Sequence, residues 1–245
     1  AGGRAFEATL VVGADGRNSV VRHRAGLDAP VGRKRFALVC RATGVAPGSR
    51  GLSRGMRHGE MHVSPLGQVG VAPLSDGAVN LNLLLSESGR ALLKLRTPEH
   101  LMRAALAGTP SLRARTRWVR LGTVLATGSL PQGSRAVAAD GVALVGDAAG
   151  FWDPFTGDGM CIALRGAELL ARTVSALDFT KAIPENALEP YVRDWRRALA
   201  LKRMISPILH HALARRRLGV AMVSALSRSR WLGRLMVAIE GGRPI

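Results

Sequence analysis

The sequence predicts an α/β protein in which a parallel-sheet part is interrupted by an inserted mixed, mostly antiparallel β-sheet and followed by C-terminal helices. Three observations predict it. A short apolar run, Val142-Ala143-Leu144-Val145, leads into Gly146-Asp147-Ala148-Ala149-Gly150 and then, after a loop, into a helix-compatible stretch from about Met160 to Ala176. That order of strand, turn and helix belongs to a crossover unit whose strand is covered on both faces. A second apolar run, Phe6 to Val12, ends in Gly13-Ala14-Asp15-Gly16. Between the two lie alternating apolar runs separated by proline and glycine turns, the pattern of antiparallel strands.

Taken in order, Phe6 to Val12 reads as a strand, and Ser19 can cap a short helix carrying Val20, Val21 and Arg22. Gly16 permits a sharp turn that Asp15 can tie together, and Arg22 falls one helical turn from Ser19 on the same face. Asp28 to Gly32, with Pro30, breaks the pattern. Phe36 to Thr43, Gly59 to Ser64, Gln68 to Leu74 and Ala78 to Leu85 read as strands. Their turns are marked by Pro47-Gly48, Pro65-Leu66-Gly67 and Ser75-Asp76-Gly77. Thr97 caps, and Pro98 opens, the one helix expected here, to about Ala107. Arg117 to Leu130 reads as a strand pair or one long strand. Pro131 to Asp140 returns the chain to the first part. After the long helix, Leu177 to Pro184 is a loop. Leu188 to Leu201 is amphipathic, with Tyr191, Trp195 and Leu199 on one face and Arg193, Arg196 and Arg197 opposite. Pro207 is expected to interrupt the next helix. Leu218 to Leu226 and Trp231 to Ile239 are apolar segments among arginines, which either pack back or form a basic amphipathic surface. The expected division is 1–28, 29–135, 136–180 and 181–245.

Composition bounds the function. At 245 residues and 47% hydrophobic, the chain can bury a sizeable core and is not a disordered polymer. No apolar run is long enough to span a bilayer, and no leader pattern is read at Ala1. Cys40 and Cys161 make neither a metal nor a disulfide pattern, and no metal site is expected. The formal charge is +18, nearly all from arginine, which would attract anionic partners. With a single Tyr and no basic-aromatic interleaving, nucleic acid is not an expected partner. His58, Glu60 and His62 alternate on one strand face, open to reading as a metal site, a proton relay, a substrate wall or a polar half-exposed face. They are not the helical zinc motif, whose Glu directly follows its first His.

The chemistry concentrates after Val145. Asp147 stands at a strand's carboxyl end, where open α/β sheets bind ligands, and can accept hydrogen bonds from a ligand's hydroxyls. Pro154 bars helix in the loop. Gly157-Asp158-Gly159 then opens the helix at Met160, whose unpaired N–H groups and partial positive charge favour an anionic group. These two strings, Gly146-Asp147-Ala148-Ala149-Gly150 and Pro154-Phe155-Thr156-Gly157-Asp158-Gly159, resemble the second flavin-binding motif of the FAD-dependent hydroxylase and geranylgeranyl reductase superfamily. Their wording is most like the reductase branch, which usually has Glu where Asp158 stands. Gly13-Ala14-Asp15-Gly16-Arg17-Asn18-Ser19-Val20-Val21-Arg22 is similar to the same superfamily's other internal fingerprint, about 130 residues earlier.

The resemblance implies a Rossmann-type FAD-binding domain with an inserted substrate domain. Asp147 would hold the ribityl chain of FAD, with Gly146 and Ala148 beside it. Gly157 to Met160 would face the flavin ring, and Asp15 and Arg22 would support the turn next to the cofactor. It also implies NADH or NADPH as electron donor and a small, hydrophobic, unsaturated substrate, such as an isoprenoid, that receives hydride. Hydroxylation with oxygen is the alternative, flavoprotein halogenation a third. No residue singles itself out as a catalytic base. Outside enzymology, the alternative is a basic lipid- or nucleic-acid-binding protein. A cytoplasmic protein is expected, with peripheral contact to anionic membranes. No G-x-G-x-x-G follows a strand, and Gly2-Gly3 opens no helix. The family places that fingerprint in roughly a hundred preceding residues, so this polypeptide alone is expected to be inactive and to bind FAD weakly or not at all.

Overall fold

The computed structural model describes residues 5–30, 36–46, 58–128, 133–150 and 159–214, together with 218, 221–222, 224–225, 228–229 and 231–234. In chain order the elements are β1 (Val11–Gly13), α1 (Val20–Arg24), β2 (Phe36–Thr43), β3 (Glu60–Ser64), β4 (Gly67–Pro73) and β5 (Val79–Leu85). Next come α2 (Glu87–Leu92), α3 (Pro98–Gly108), α4 (Pro110–Arg113), β6 (Arg120–Leu121), β7 (Leu125–Gly128), β8 (Ala138–Ala139) and β9 (Val142–Leu144). The long helices α5 (Gly159–Val174) and α6 (Glu189–Ala214) follow. The chain divides into two compact units: Ala1–Gly32 with Pro131–Ile245, and Arg33–Leu130.

The first unit is built on a three-stranded sheet of order β1-β9-β8. β1 and β9 are parallel, with Val11 opposite Val142 and Gly13 opposite Leu144. The pairing of residues 131 positions apart makes this unit from both arms of the chain. Gly13 is required here, because a Cβ would lie 2.6 Å from Leu144 Cδ2 and 3.0 Å from Val21 Cβ. β8 and β9 form a hairpin turning at Gly141, whose φ of 65° suits glycine. Helices α5 and α6 close the core. Leu169 and Leu170 of α5 meet Tyr191, Val192, Trp195 and Leu199 of α6, with Leu144 and Val145 beneath. The Trp195 ring occupies the space a Cβ on Gly166 would need, 2.7 Å away. The buried Tyr191 hydroxyl donates to the Leu144 carbonyl at the end of β9.

The second unit is a six-stranded antiparallel sheet running β3-β4-β5-β2-β6, with β7 also paired to β2. Alternation buries Leu38, Val69, Val71, Leu81 and Leu83 against Leu101, Met102, Ala105 and Leu106 of α3 and Leu112 of α4. Thr97 caps α3 as expected, its side chain accepting from the His100 N–H at 3.2 Å.

Several expectations are corrected. The first strand is Val11–Gly13 rather than Phe6 to Val12, because among the described residues β9 alone pairs with it and begins at Val142; the last bond of the pair runs from Val11 N–H to Gly141 O at 2.8 Å. Among the described residues, the sheet unit carries three helices, not one. α2, capped by Ser86, and α4 are too short to show a period. Of the two alternatives for Arg117 to Leu130, the described part, to Gly128, holds two strands rather than one long one, both paired with β2 and separated by residues 122–124. Pro207 does not end its helix, since α6 runs unbroken through it to Ala214. Proline removes one N–H in 26 residues, which a helix anchored by Tyr191, Trp195 and Leu199 absorbs. Of the expected apolar tail, 218, 221–222, 224–225, 228 and 231–234 are helical; the rest lies outside the described residues.

Candidate functional site

Parallel pairing of β1 with β9 brings the carboxyl ends of both strands side by side, so the two sequence fingerprints leave the sheet together. The first makes a tight turn through Gly16 at φ 80°. One oxygen of Asp15 then accepts from the backbone N–H groups of Val20 (2.7 Å) and Val21 (3.3 Å) at the start of α1. Burial pushes the Asp15 carboxyl up, but hydrogen bonds from Ser19 and from the backbone of Val21 and Val20 outweigh it and hold the group below its usual range. Ser19 caps the same helix, its hydroxyl accepting from Arg22 N–H at 2.9 Å. Asp15 therefore fixes the turn, as expected.

Arg22 joins the two fingerprints. Its guanidinium is buried, and it donates from Nε to Asp28 at 2.7 Å, from Nη1 to the Ala148 carbonyl at 3.1 Å and from Nη2 to the Arg17 carbonyl at 2.8 Å. His23 approaches the other Asp28 oxygen at 2.7 Å. Hydrogen bonds from Arg22 and His23 hold Asp28 below the usual carboxylate range. Arg22 is a strut between the two fingerprints, with these donors directed at the protein. Ala148, fully buried, contributes its carbonyl to that strut.

Asp147 differs from both. It lies in a single 3-10 turn, Gly146–Ala148, at the end of β9. Half-buried, its carboxylate makes no hydrogen bond to any described residue. Burial pushes its pKa up, and the nearby positive charge of Arg17 pulls part of that back. A partly desolvated acceptor without a donor among the described residues is suited to a ligand's hydroxyls. Gly146 at φ 58° and Gly150 at φ 139° frame it with backbone that side chains rarely adopt. A Cβ on Gly146 would sit 3.2 Å from Ala163 Cβ, so the first turns of α5 pack directly on this turn. α5 begins at Gly159, where a Cβ would meet nothing within 4 Å, and Met160 beside it is exposed. The predicted site residues Pro154, Gly157 and Asp158 lie outside the described residues. What is described is an acceptor without a donor among the described residues, bare backbone around it, and a helix start adjacent.

Sequence reasoning missed Arg17, Gly13 and Tyr191 as parts of this site. Arg17 stands inside a quoted string, yet only the strand pairing places its charge near Asp147. In the other unit, His58, Glu60 and His62 form no metal cluster among the described residues. Glu60 instead receives both Nη atoms of Arg115, at 2.7 and 2.9 Å, and shares a 2.8 Å bond with His62 Nε2, while His62 Nδ1 meets Ser111 Oγ at 2.8 Å. Arg115 above all holds the Glu60 carboxyl low. This is a polar clamp between strand and helix.

Residues 1–202 match the family described as FAD binding domain. The chain belongs to that family. No curated protein sequence matches significantly. Among solved structures, the chain is similar to the flavin-dependent halogenase CmlS, at TM-score 0.64 and 19% identity over 78% of this chain and 35% of that one. It is similar to a flavoprotein/dehydrogenase from Cytophaga hutchinsonii, at TM-score 0.67 and 20% identity over 83% of this chain and 50% of that one. It is similar also to the flavin-dependent brominase Bmp2, at TM-score 0.71 and 17% identity over 96% of this chain and 57% of that one. At these identities the likeness is one of fold. The chain spans about one-third to just over one-half of these proteins' lengths.

Proposed function

We propose that the chain supplies the ribityl- and ring-facing part of an FAD site in an FAD-dependent oxidoreductase that takes electrons from NADH or NADPH. The observation carrying this reading is Asp147, a half-buried carboxylate without a described partner at the tip of a parallel strand, in a chain of the FAD binding domain family. Bound FAD would supply hydride and electron transfer. The protein's part is placement. Asp147 accepts from the ribityl hydroxyls, and Gly146 keeps its turn close to α5. Gly157, Asp158, Gly159 and Met160 present the helix start to the ring, where a partial positive charge favours electron gain. Pro154 shapes the loop before them. Asp15 and Arg22 hold the neighbouring turn, and residues 33–130 form the substrate domain.

The wording of Pro154 to Gly159 supports a reductase that passes hydride to a hydrophobic, unsaturated substrate such as an isoprenoid. A second reading, use of oxygen to hydroxylate a small molecule, is favoured by neighbours described as a flavin-dependent halogenase and a flavin-dependent brominase. The two part on whether turnover consumes oxygen. The test of the shared reading is FAD titrated into the 245-residue chain, followed by quenching of flavin fluorescence. Weak, saturable uptake is expected, and Asp147→Ala should reduce the affinity about tenfold, the loss of hydrogen bonds to a charged acceptor. Uptake indifferent to that substitution would remove the site.

A further inference from the structure

We infer that the C-terminal part of the chain, through the described residues of α6 and of 218–234, is a docking surface for a bilayer containing anionic phospholipid, independently of the cofactor reading. Its charge is concentrated. Residues 189–245 hold twelve arginines and lysines against three acids, an excess of nine, which is half of the chain's +18 in under a quarter of its length. On α6, Tyr191, Trp195 and Leu199 are turned into the core, which leaves Arg193, Arg196 and Arg197 exposed. Arg193 meets Asp194 at 3.3 Å, while Arg196 and Arg197 face solvent.

Large apolar side chains are exposed in the same region: Met204 is 62% exposed, Leu218 46%, Trp231 68% and Leu232 38%. Residues 231–234 are helical, and exposed Arg228 and Arg234 flank Trp231 and Leu232. Water disfavours these apolar surfaces, and an acyl layer takes them up. Tryptophan settles at headgroup depth, and arginine extends its charge to the phosphates from an apolar stem. No helix of the described residues is long and apolar enough to cross a membrane, so the contact is one that lies on the surface. A nucleic acid would answer the arginines but not the exposed leucines and methionine, since phosphate contacts require no apolar partner.

The test is sedimentation of the whole chain with vesicles of phosphatidylcholine alone and of equal parts phosphatidylcholine and phosphatidylglycerol, at physiological ionic strength. Each basic residue near an anionic surface adds roughly a fivefold factor, so binding at least about tenfold tighter to the mixed vesicles is expected. W231S combined with L232S should lower that affinity about tenfold, the apolar share of the contact. Both side chains are exposed, so circular dichroism should not change. Equal binding to the two vesicles would overturn the inference. So would an unchanged affinity in the double variant, or tighter binding to duplex DNA than to mixed vesicles.

Discussion

Three side chains at the ends of β1 and β9 divide the work at the candidate site. Arg22 and Asp15 are committed to protein partners, and Asp147 has no hydrogen-bond partner among the described residues. That difference has a stability signature. Burial raises the Asp147 pKa above its unfolded value near 3.8, with Arg17 opposing. Ionising it is therefore costlier in the folded chain than in the unfolded one. The associated stability is complete below the unfolded pKa and is lost as pH rises through the folded pKa, so at neutral pH the carboxylate is a burden on the fold. Asp147→Asn should raise the thermal midpoint at pH 7 by on the order of 1 °C, with the gain narrowing towards pH 4. The same substitution should weaken FAD uptake. A midpoint lowered at pH 7 would mean that the carboxylate serves the fold rather than a ligand.

At the scale of elements, the close approach of α5 to α6 rests on Gly166, over which the Trp195 ring lies. Gly166→Val places its methyl groups in that ring, and overpacking of this kind costs about 1–3 kcal/mol. A urea midpoint that falls with an unchanged slope would register the loss; an unchanged midpoint would show that the helices can part freely. Elements that own their pattern were legible in the sequence. β2 has the span of its alternating run, and α3 is announced by Thr97-Pro98 and its apolar spacing. Elements defined by a partner were not. β1 is as long as β9 allows, α6 passes Pro207 because its first turns are already anchored, and α2 and α4 have too few residues to repeat. The site follows the same division. Asp147, Asp15 and Arg22 were named from their strings, whereas the charge of Arg17 near Asp147 and the seizure of Glu60 by Arg115 depend on contacts between distant segments. Residues 60 and 62 do share a face of β3, which begins after His58, but alternation cannot say that an arginine 55 positions later will saturate the glutamate.

For the molecule as a whole, charge imbalance sets a global condition. Thirty-five basic residues face 17 acidic ones. The exposed ion pairs, such as Arg103 with Glu99 and Arg165 with Glu168, contribute little each, while the uncompensated excess repels itself throughout. Added salt screens both, and the repulsion is the larger quantity. Raising sodium chloride from about 20 to about 300 mM should therefore raise the thermal midpoint, since the screening length falls well below the spacing of distant charges. A midpoint that drops across that range would give the ion pairs the greater weight. The pairing of Val11 with Val142 carries a consequence for synthesis. With ribosomes adding roughly 5–20 residues per second, the valines of β1 emerge many seconds before β9 does. In that interval the intervening segment can finish its own antiparallel sheet. The nascent chain thus carries β1 without β9 while about 130 residues are added, and whatever shields the strand then determines how much reaches the native state.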